Sequence, residues 1–392
     1  MNISLQTSRH LVLAACAALV TVGCGGGAST TSPAPSAATG TSDPGSATGG
    51  NGNGDSGAGA GPTAGGSPTP SAPPPSAPHA QHKRCGWIGA DTFDAGKKSF
   101  LANPDYYDAI HPKWETLMAD GTIRVLSMAD DAEIMSTAKA HSIKVIPLVD
   151  ADDVSFIRNA MSSPTAIAQH AQTVTDLVVK HGYDGIELDY EHLWSAADRA
   201  PYVALVKAVA AALHAKGKVL TLALPAMDAD HKDAAYDYPA IQDSVDVMHL
   251  MVYDFHYMGG DHIGPLAPKG WVNDVVTRVQ SLGHPEKYTL GLANYGIAGG
   301  WYTSAKDAAA RCNGGTHSMT TDHMATCPIG HQEAGLSPHC TTSQGDVWFE
   351  DVASMTEKAQ LAKAHGLGGV GYWTMGDEPD GFFTAMQAQF GN

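Results

Sequence analysis

From Tyr183 to Glu191 the chain reads Tyr-Asp-Gly-Ile-Glu-Leu-Asp-Tyr-Glu. Alternation of acidic and apolar residues over this length is the pattern of a strand with two unlike faces. Glu187, Asp189 and Glu191 fall on one face, and Ile186, Leu188 and Tyr190 on the other. Neighbouring carboxylates oppose one another's ionisation, so at least one of the three keeps its proton to a higher pH than an isolated acid. A carboxyl protonated near neutrality is what a general acid requires. The competing reading is a solvated acidic strand end or a cation-binding rim. The catalytic reading makes the stronger demand, because other chemistry-bearing groups must arrive at the same place.

The rest of the chain supplies elements able to do this. Apolar, β-branched runs predict strands near Gly86–Ile88, Tyr106–Ile110, Ile143–Val149, Gly185–Glu191, Val219–Leu224, Val245–Tyr253, Tyr288–Ala293 and Gly369–Trp373. Helices are predicted near Ala132–His141, Ser163–Lys180, Ala197–Lys216, Val272–Leu282 and Met355–His365, several of them stopping at a glycine. Eight strands alternating with helices predict an α/β fold, a (β/α)8 TIM barrel forming a single catalytic domain. Functional groups of such a barrel gather at the C-terminal ends of its strands. The acids climb toward that end of the fourth strand. The sixth strand ends in Met251, Tyr253, Asp254 and His256, the seventh in Asn294 and Tyr295, and the eighth in Tyr372, Trp373 and Thr374. Aromatic faces suit the C–H surfaces of sugar rings, while carboxylates and phenols bind hydroxyls. Together these groups predict a carbohydrate cleft.

With these residues in place, the chain resembles glycoside hydrolase family 18, the chitinase-like family. Its strand-four signature D-G-x-D-x-D-x-E is matched by Asp184, Gly185, Glu187, Asp189 and Glu191, its M-x-Y-D by Met251, Tyr253 and Asp254, and its barrel-closing tryptophan by Trp373. The Tyr-Gly after the seventh strand and the stretch from Trp348 to Lys358 resemble a bacterial branch of spore-germination and cortex-lytic peptidoglycan enzymes. The resemblance implies a retaining, substrate-assisted hydrolysis of β-1,4-linked N-acetylglucosamine polymers, chitin or peptidoglycan. Glu191 would be the general acid/base, Asp189 would orient the substrate's 2-acetamido group, and Tyr253 would donate a hydrogen bond to it. Asp184, Glu187, Met251, Asp254, Tyr295 and Trp373 would line the substrate site. No metal or other cofactor is implied. Position 187 carries Glu where the family usually has Asp. The longer arm moves its carboxyl by about one bond, which is expected to alter pH dependence and leave activity in place. That departure, with a long insertion at 299–344, also leaves a non-catalytic carbohydrate-binding surface lipoprotein as the alternative.

The ends and the composition place the domain. An apolar run from Leu11 to Val22 after Arg9 fits a signal-peptide core and is too short to span a bilayer. Val22-Gly23-Cys24 resembles a bacterial lipobox, so residues 1–23 are read as leader and Cys24 as the lipidation site. Thr21 stands where Leu is usual, and ordinary cleavage and release is the alternative. Residues 24–80, almost wholly Gly, Ala, Ser, Thr and Pro, are expected to be a disordered tether reaching on the order of 40 Å. Residues 81–392 form the barrel. The expected protein is an exported monomer that meets the membrane through its lipid anchor alone, on the periplasmic side or the cell surface. The formal net charge of −17 excludes a nucleic-acid partner, which needs a basic footprint. Cys85, Cys312, Cys327 and Cys340 read as an even disulfide set in an oxidising compartment, with three pairings open. Four histidines accompany the last three cysteines, but without zinc-binding spacing. A radioactive fatty acid supplied to a bacterial expression host is expected to label the mature chain and to leave Cys24→Ser unlabelled. No label on the wild type would remove the anchor.

Overall fold

A computed structural model describes residues 83–151, 153–227, 235–260, 263–312, 316–319, 336–343 and 345–391. The leader, Cys24, the linker and Cys327 lie outside them. Eight parallel strands follow one another around a barrel: β1 (Cys85–Ile88), β2 (Ala109–Leu117), β3 (Leu148–Ala151), β4 (Gly185–Asp189), β5 (Val219–Pro225), β6 (Val247–Met251), β7 (Tyr288–Ala293) and β8 (Gly369–Trp373). The circle closes where Arg84 bridges Val370 in parallel.

The alternation of β4 does what its sequence predicts. Ile186, Leu188 and Tyr190 are fully buried in the layer between strands and helices, and Glu187 is fully buried on the other side, inside the barrel. The helices before and after β4 explain why the strand sits so firmly. Pro164–His181 begins with Ser163 accepting a hydrogen bond from Ala166 N and ends at Gly182, whose φ of 74° only glycine adopts cheaply. Arg199–His214 buries Tyr202, Leu205, Val206, Val209 and Leu213, a stripe at helical spacing.

The sequence pattern misplaces two strands. The second begins at Ala109, because Tyr106 ends a short 3-10 turn and packs against Phe382 and Phe383, with Tyr107 beside it against Phe383. The strand continues through His111 and Glu115, whose polar letters conceal a run buried everywhere except at Lys113. The expected Ile143–Val149 strand is broken at Pro147, which has no N–H for a ladder; Lys144–Val145 and Leu148–Ala151 pair separately with β2.

The segment after β7 is larger than an inserted loop. Tyr295–Ala298, Trp301–Ser304, Thr316–Met319, Leu336–Thr342 and Gly345–Phe349 form an antiparallel five-stranded sheet beside the barrel. A disulfide joins Cys312, at the end of helix Ala305–Arg311, to Cys340 within that sheet. Cys85 does not belong to a disulfide set. It is a free thiol at the start of β1, wholly buried inside the barrel.

Gly185 shows how closely β4 and β5 approach. A Cβ there would lie 2.3 Å from the Val219 carbonyl oxygen and 2.4 Å from a Val219 methyl. Gly185→Ala therefore forces backbone to move and should destabilise by about 1–3 kcal/mol. The check is a lowered urea midpoint; an unchanged midpoint would show that the two strands separate freely.

Candidate active site

Asp189 is the last residue of β4, and Glu191 follows two positions later, past the end of the ladder. Both are half-buried. Register sets Asp150, near the end of β3, directly beside Asp189. Lys113 of β2 reaches across to form an ion pair with Asp150 at 2.5 Å. The resulting cluster holds three acids and one cation at the C-terminal mouth.

Burial drives the carboxyl of Asp189 well above its ordinary range, the charges of Glu191 and Glu187 push it the same way, and Lys113 partly opposes them. Burial also raises Glu191, while His192 and Lys113 pull it down and Asp150 pushes it up. Asp189 Oδ1 is buried and accepts no hydrogen bond from the protein. An acceptor left in that state is expensive unless a ligand supplies a donor. Glu191 is raised in the direction that a proton donor needs.

Tyr253 lies two residues beyond β6 and is also half-buried. Burial raises its hydroxyl, and the nearby charges of Asp189, Glu191 and Asp254 raise it further, so it remains a donor at any working pH. Asp254 takes a left-handed φ of 58°. Its Oδ1 accepts a 2.5 Å hydrogen bond from the Tyr295 hydroxyl, and Tyr302 donates to the same carboxyl. Burial nevertheless pushes Asp254 up to about 6. Tyr253 and Tyr295 meet edge to face at 6.0 Å, and Tyr295 and Tyr302 at 5.4 Å. Both Tyr295 and Tyr302 come from the inserted sheet, which therefore supplies one wall of the site. Met251 and Trp373 end their strands half-buried at the same mouth.

Four expected members sit elsewhere. Asp184 precedes β4, at the opposite end of the barrel. Its Oδ2 accepts from Val145 N at 3.0 Å, and its Oδ1 pairs with Lys144, so it fastens β4 to its neighbour and cannot line a substrate site. Glu187 is sealed beneath the mouth. Its carboxylate accepts from the Trp87 indole and, at 2.9 Å, from the Thr221 hydroxyl, while burial pushes it up to about 8. It touches no cleft. Tyr372 points outward, its hydroxyl bonded to Tyr107 and Glu378, and Asn294 is spent on the Thr374 and Gly376 carbonyls. Lys113, Asp150 and Tyr302 were not foreseen. Asp150 carried a faint signal, being an acid at the end of a predicted strand. Lys113 and Tyr302 carried none, since only register and the added sheet bring them in.

Among known proteins, the family model for glycosyl hydrolases family 18 matches residues 97–378. A Bacillus subtilis protein named as a sporulation-specific glycosylase, YdhD, is 32% identical over 57% of this chain and 55% of its own length. The cortical fragment-lytic enzyme of Bacillus anthracis is 24% identical over 66% and 62% respectively. The chain thus spans little more than half the length of these relatives. In three dimensions it is similar to the chitinase of Chromobacterium violaceum, with a TM-score of 0.67 at 21% identity, covering 79% of this chain and 99% of that one. It is also similar to the spore cortex-lytic enzyme SleL of Bacillus cereus, with a TM-score of 0.65 at 19% identity, covering 79% and 74%.

Tyr295→Phe removes one of two hydroxyls that favour the Asp254 carboxylate. Its titration should move up from about 6, as followed by the carbon-13 shift of the carboxyl group. A shift downward would show that the hydroxyl does not donate to it.

Proposed function

The chain belongs to glycosyl hydrolases family 18, and on that premise we propose that it hydrolyses β-1,4 linkages of N-acetylglucosamine-containing glycans, chitin or peptidoglycan strands, with retention of configuration. The nucleophile is the carbonyl oxygen of the substrate's own 2-acetamido group. Glu191 gives its proton to the glycosidic oxygen as the C1–O bond breaks. The acetamido oxygen closes on C1, and the ring so formed carries positive charge. Asp189 receives the acetamido N–H and stabilises that charge, while Tyr253 donates to the attacking oxygen. Glu191, now ionised, takes a proton from water as the water opens the ring at C1, and both groups return to their starting state. Trp373 gives the sugar an apolar floor, and Asp254, past β6, grips it together with Tyr295 and Tyr302 of the inserted sheet.

The observation that carries this reading is the Asp189 carboxylate, raised by burial and by Glu191, with one buried oxygen that no protein donor meets. An amide N–H from the substrate completes it. The relatives' names divide between cortex-lytic enzymes and chitinases, and the shared chemistry is the N-acetylated sugar. Tethered through Cys24 by its linker, the domain would work outside the membrane on such a polymer.

Glu191→Gln should lower kcat by about 100- to 10,000-fold with KM little changed, because only the proton donor is lost. Oligomers stripped of their acetyl groups should go uncleaved by the wild type, since they lack the nucleophile. Mass spectrometry of products from chitin oligomers and purified peptidoglycan, side by side, decides the polymer. Turnover of deacetylated oligomers would overturn the mechanism. Binding without turnover on every N-acetylated substrate would overturn the enzyme.

A further inference from the structure

Beneath the catalytic mouth, the barrel interior is not filled by the usual branched apolar layers. Cys85 of β1, His111 of β2 and His249 of β6 converge there with no exposure to solvent. Each offers one donor atom, and the three atoms all lie within 4.8 Å of one another. Cys85 Sγ stands 3.8 Å from His249 Nδ1. For a metal about 2.3 Å from sulfur and about 2.0–2.1 Å from nitrogen, the two donors would stand about 3.5–3.8 Å apart at tetrahedral to trigonal angles. The widest separation closes with about 1 Å of side-chain movement.

The surroundings of the imidazoles match this role. Glu187 Oε2 lies 3.2 Å from His111 Nδ1 and 3.3 Å from His249 Nε2. These are ion-pair approaches and not aligned hydrogen bonds; a carboxylate so placed favours an N–H on the ring nitrogen facing it and leaves the opposite nitrogen of each ring as the lone-pair side. On His249 that opposite nitrogen is Nδ1, the one facing the thiol. Glu187 is itself held by Trp87 and Thr221, and the Trp87 ring packs 5.6 Å from His111 and 5.2 Å from His249. Two imidazoles oriented by one carboxylate and walled by an indole form a prepared ligand set.

We propose that Cys85, His111 and His249 bind one thiophilic d10 cation, Zn(II) or Cu(I), inside the barrel, with Glu187 as the outer carboxylate that orients both histidines. Thiolate and imidazole together select these ions over oxygen-preferring ones. Binding displaces the Cys85 proton to solvent and forms the metal–sulfur bond, with no change of oxidation state. The ion would tie β1 and β2 to β6 across the barrel. Closed off from the cleft, it would act as a staple and not as a catalyst.

The full chain, purified without chelators, should contain about one zinc or copper per molecule by elemental analysis, which also tells the two apart. Added Zn(II), Co(II) or, under reducing conditions, Cu(I) should raise the Tm of metal-stripped protein. Co(II) should give visible ligand-field bands and a near-ultraviolet thiolate charge-transfer band. Glu187→Gln should weaken binding by about 10- to 100-fold, as expected for an outer-sphere partner, and Cys85→Ser should abolish the charge-transfer band. The wild-type spectrum and Tm shift carry the test even if a variant fails to fold. No stoichiometric metal with no Tm shift would overturn the proposal. Cobalt bound without the thiolate band would overturn it too, because the ion would then sit elsewhere.

Discussion

A carboxyl group in the dry interior of a barrel must be met by hydrogen-bond partners or give up its charge. Glu187, pushed up to about 8 by burial, is that group, and the organisation of the site follows from how it is met. The Trp87 indole from β1 and the Thr221 hydroxyl from β5 donate to it, and His111 and His249 approach from β2 and β6. Four strands are thereby referred to one group on β4. Two residues further along the same face stands Asp189, so its position is inherited from an anchor below it rather than from the loops above.

The period of the strand converts this anchor into chemistry. One step of two residues lifts a side chain from the sealed interior to the half-open mouth, and another lifts it past the last ladder hydrogen bond. Glu187, Asp189 and Glu191 occupy these three levels, and their environments differ accordingly. The lowest is satisfied by the protein, the middle one keeps an oxygen without a protein donor, and the highest lies near water with Lys113 and His192 tempering its burial. Three acids of similar chemistry thus acquire unlike proton affinities from their depth and from the charges each one meets.

The alternation of β4 was legible because opposite faces of a strand differ in kind, and the barrel was legible because strands and helices took turns. What could not be read was which members of the motif reach the cleft. Asp184 belongs to the same motif as Asp189, yet five residues of extended chain separate them by about 16 Å, and it fastens the far end. Nor could β2 be bounded, since its buried face carries His111 and Glu115 where a core face usually carries aliphatic residues. The grouping of cysteines by number failed for a related reason. Even counts suggest pairs, but Cys85 is fixed by its strand on the inside of the barrel, away from the sheet that holds Cys312 and Cys340.

The five-stranded sheet gives the cleft a divided ancestry. The acids proposed to break the bond lie on β4 and just past its end, while Tyr295 and Tyr302, which engage Asp254, are written into a stretch more than a hundred residues later with its own small core and its own covalent bridge. Substitutions in that stretch can reshape the wall around Asp254 without disturbing the acids at the three levels of the β4 face. On the proposed function, what is held can therefore be retuned while the cutting groups are kept.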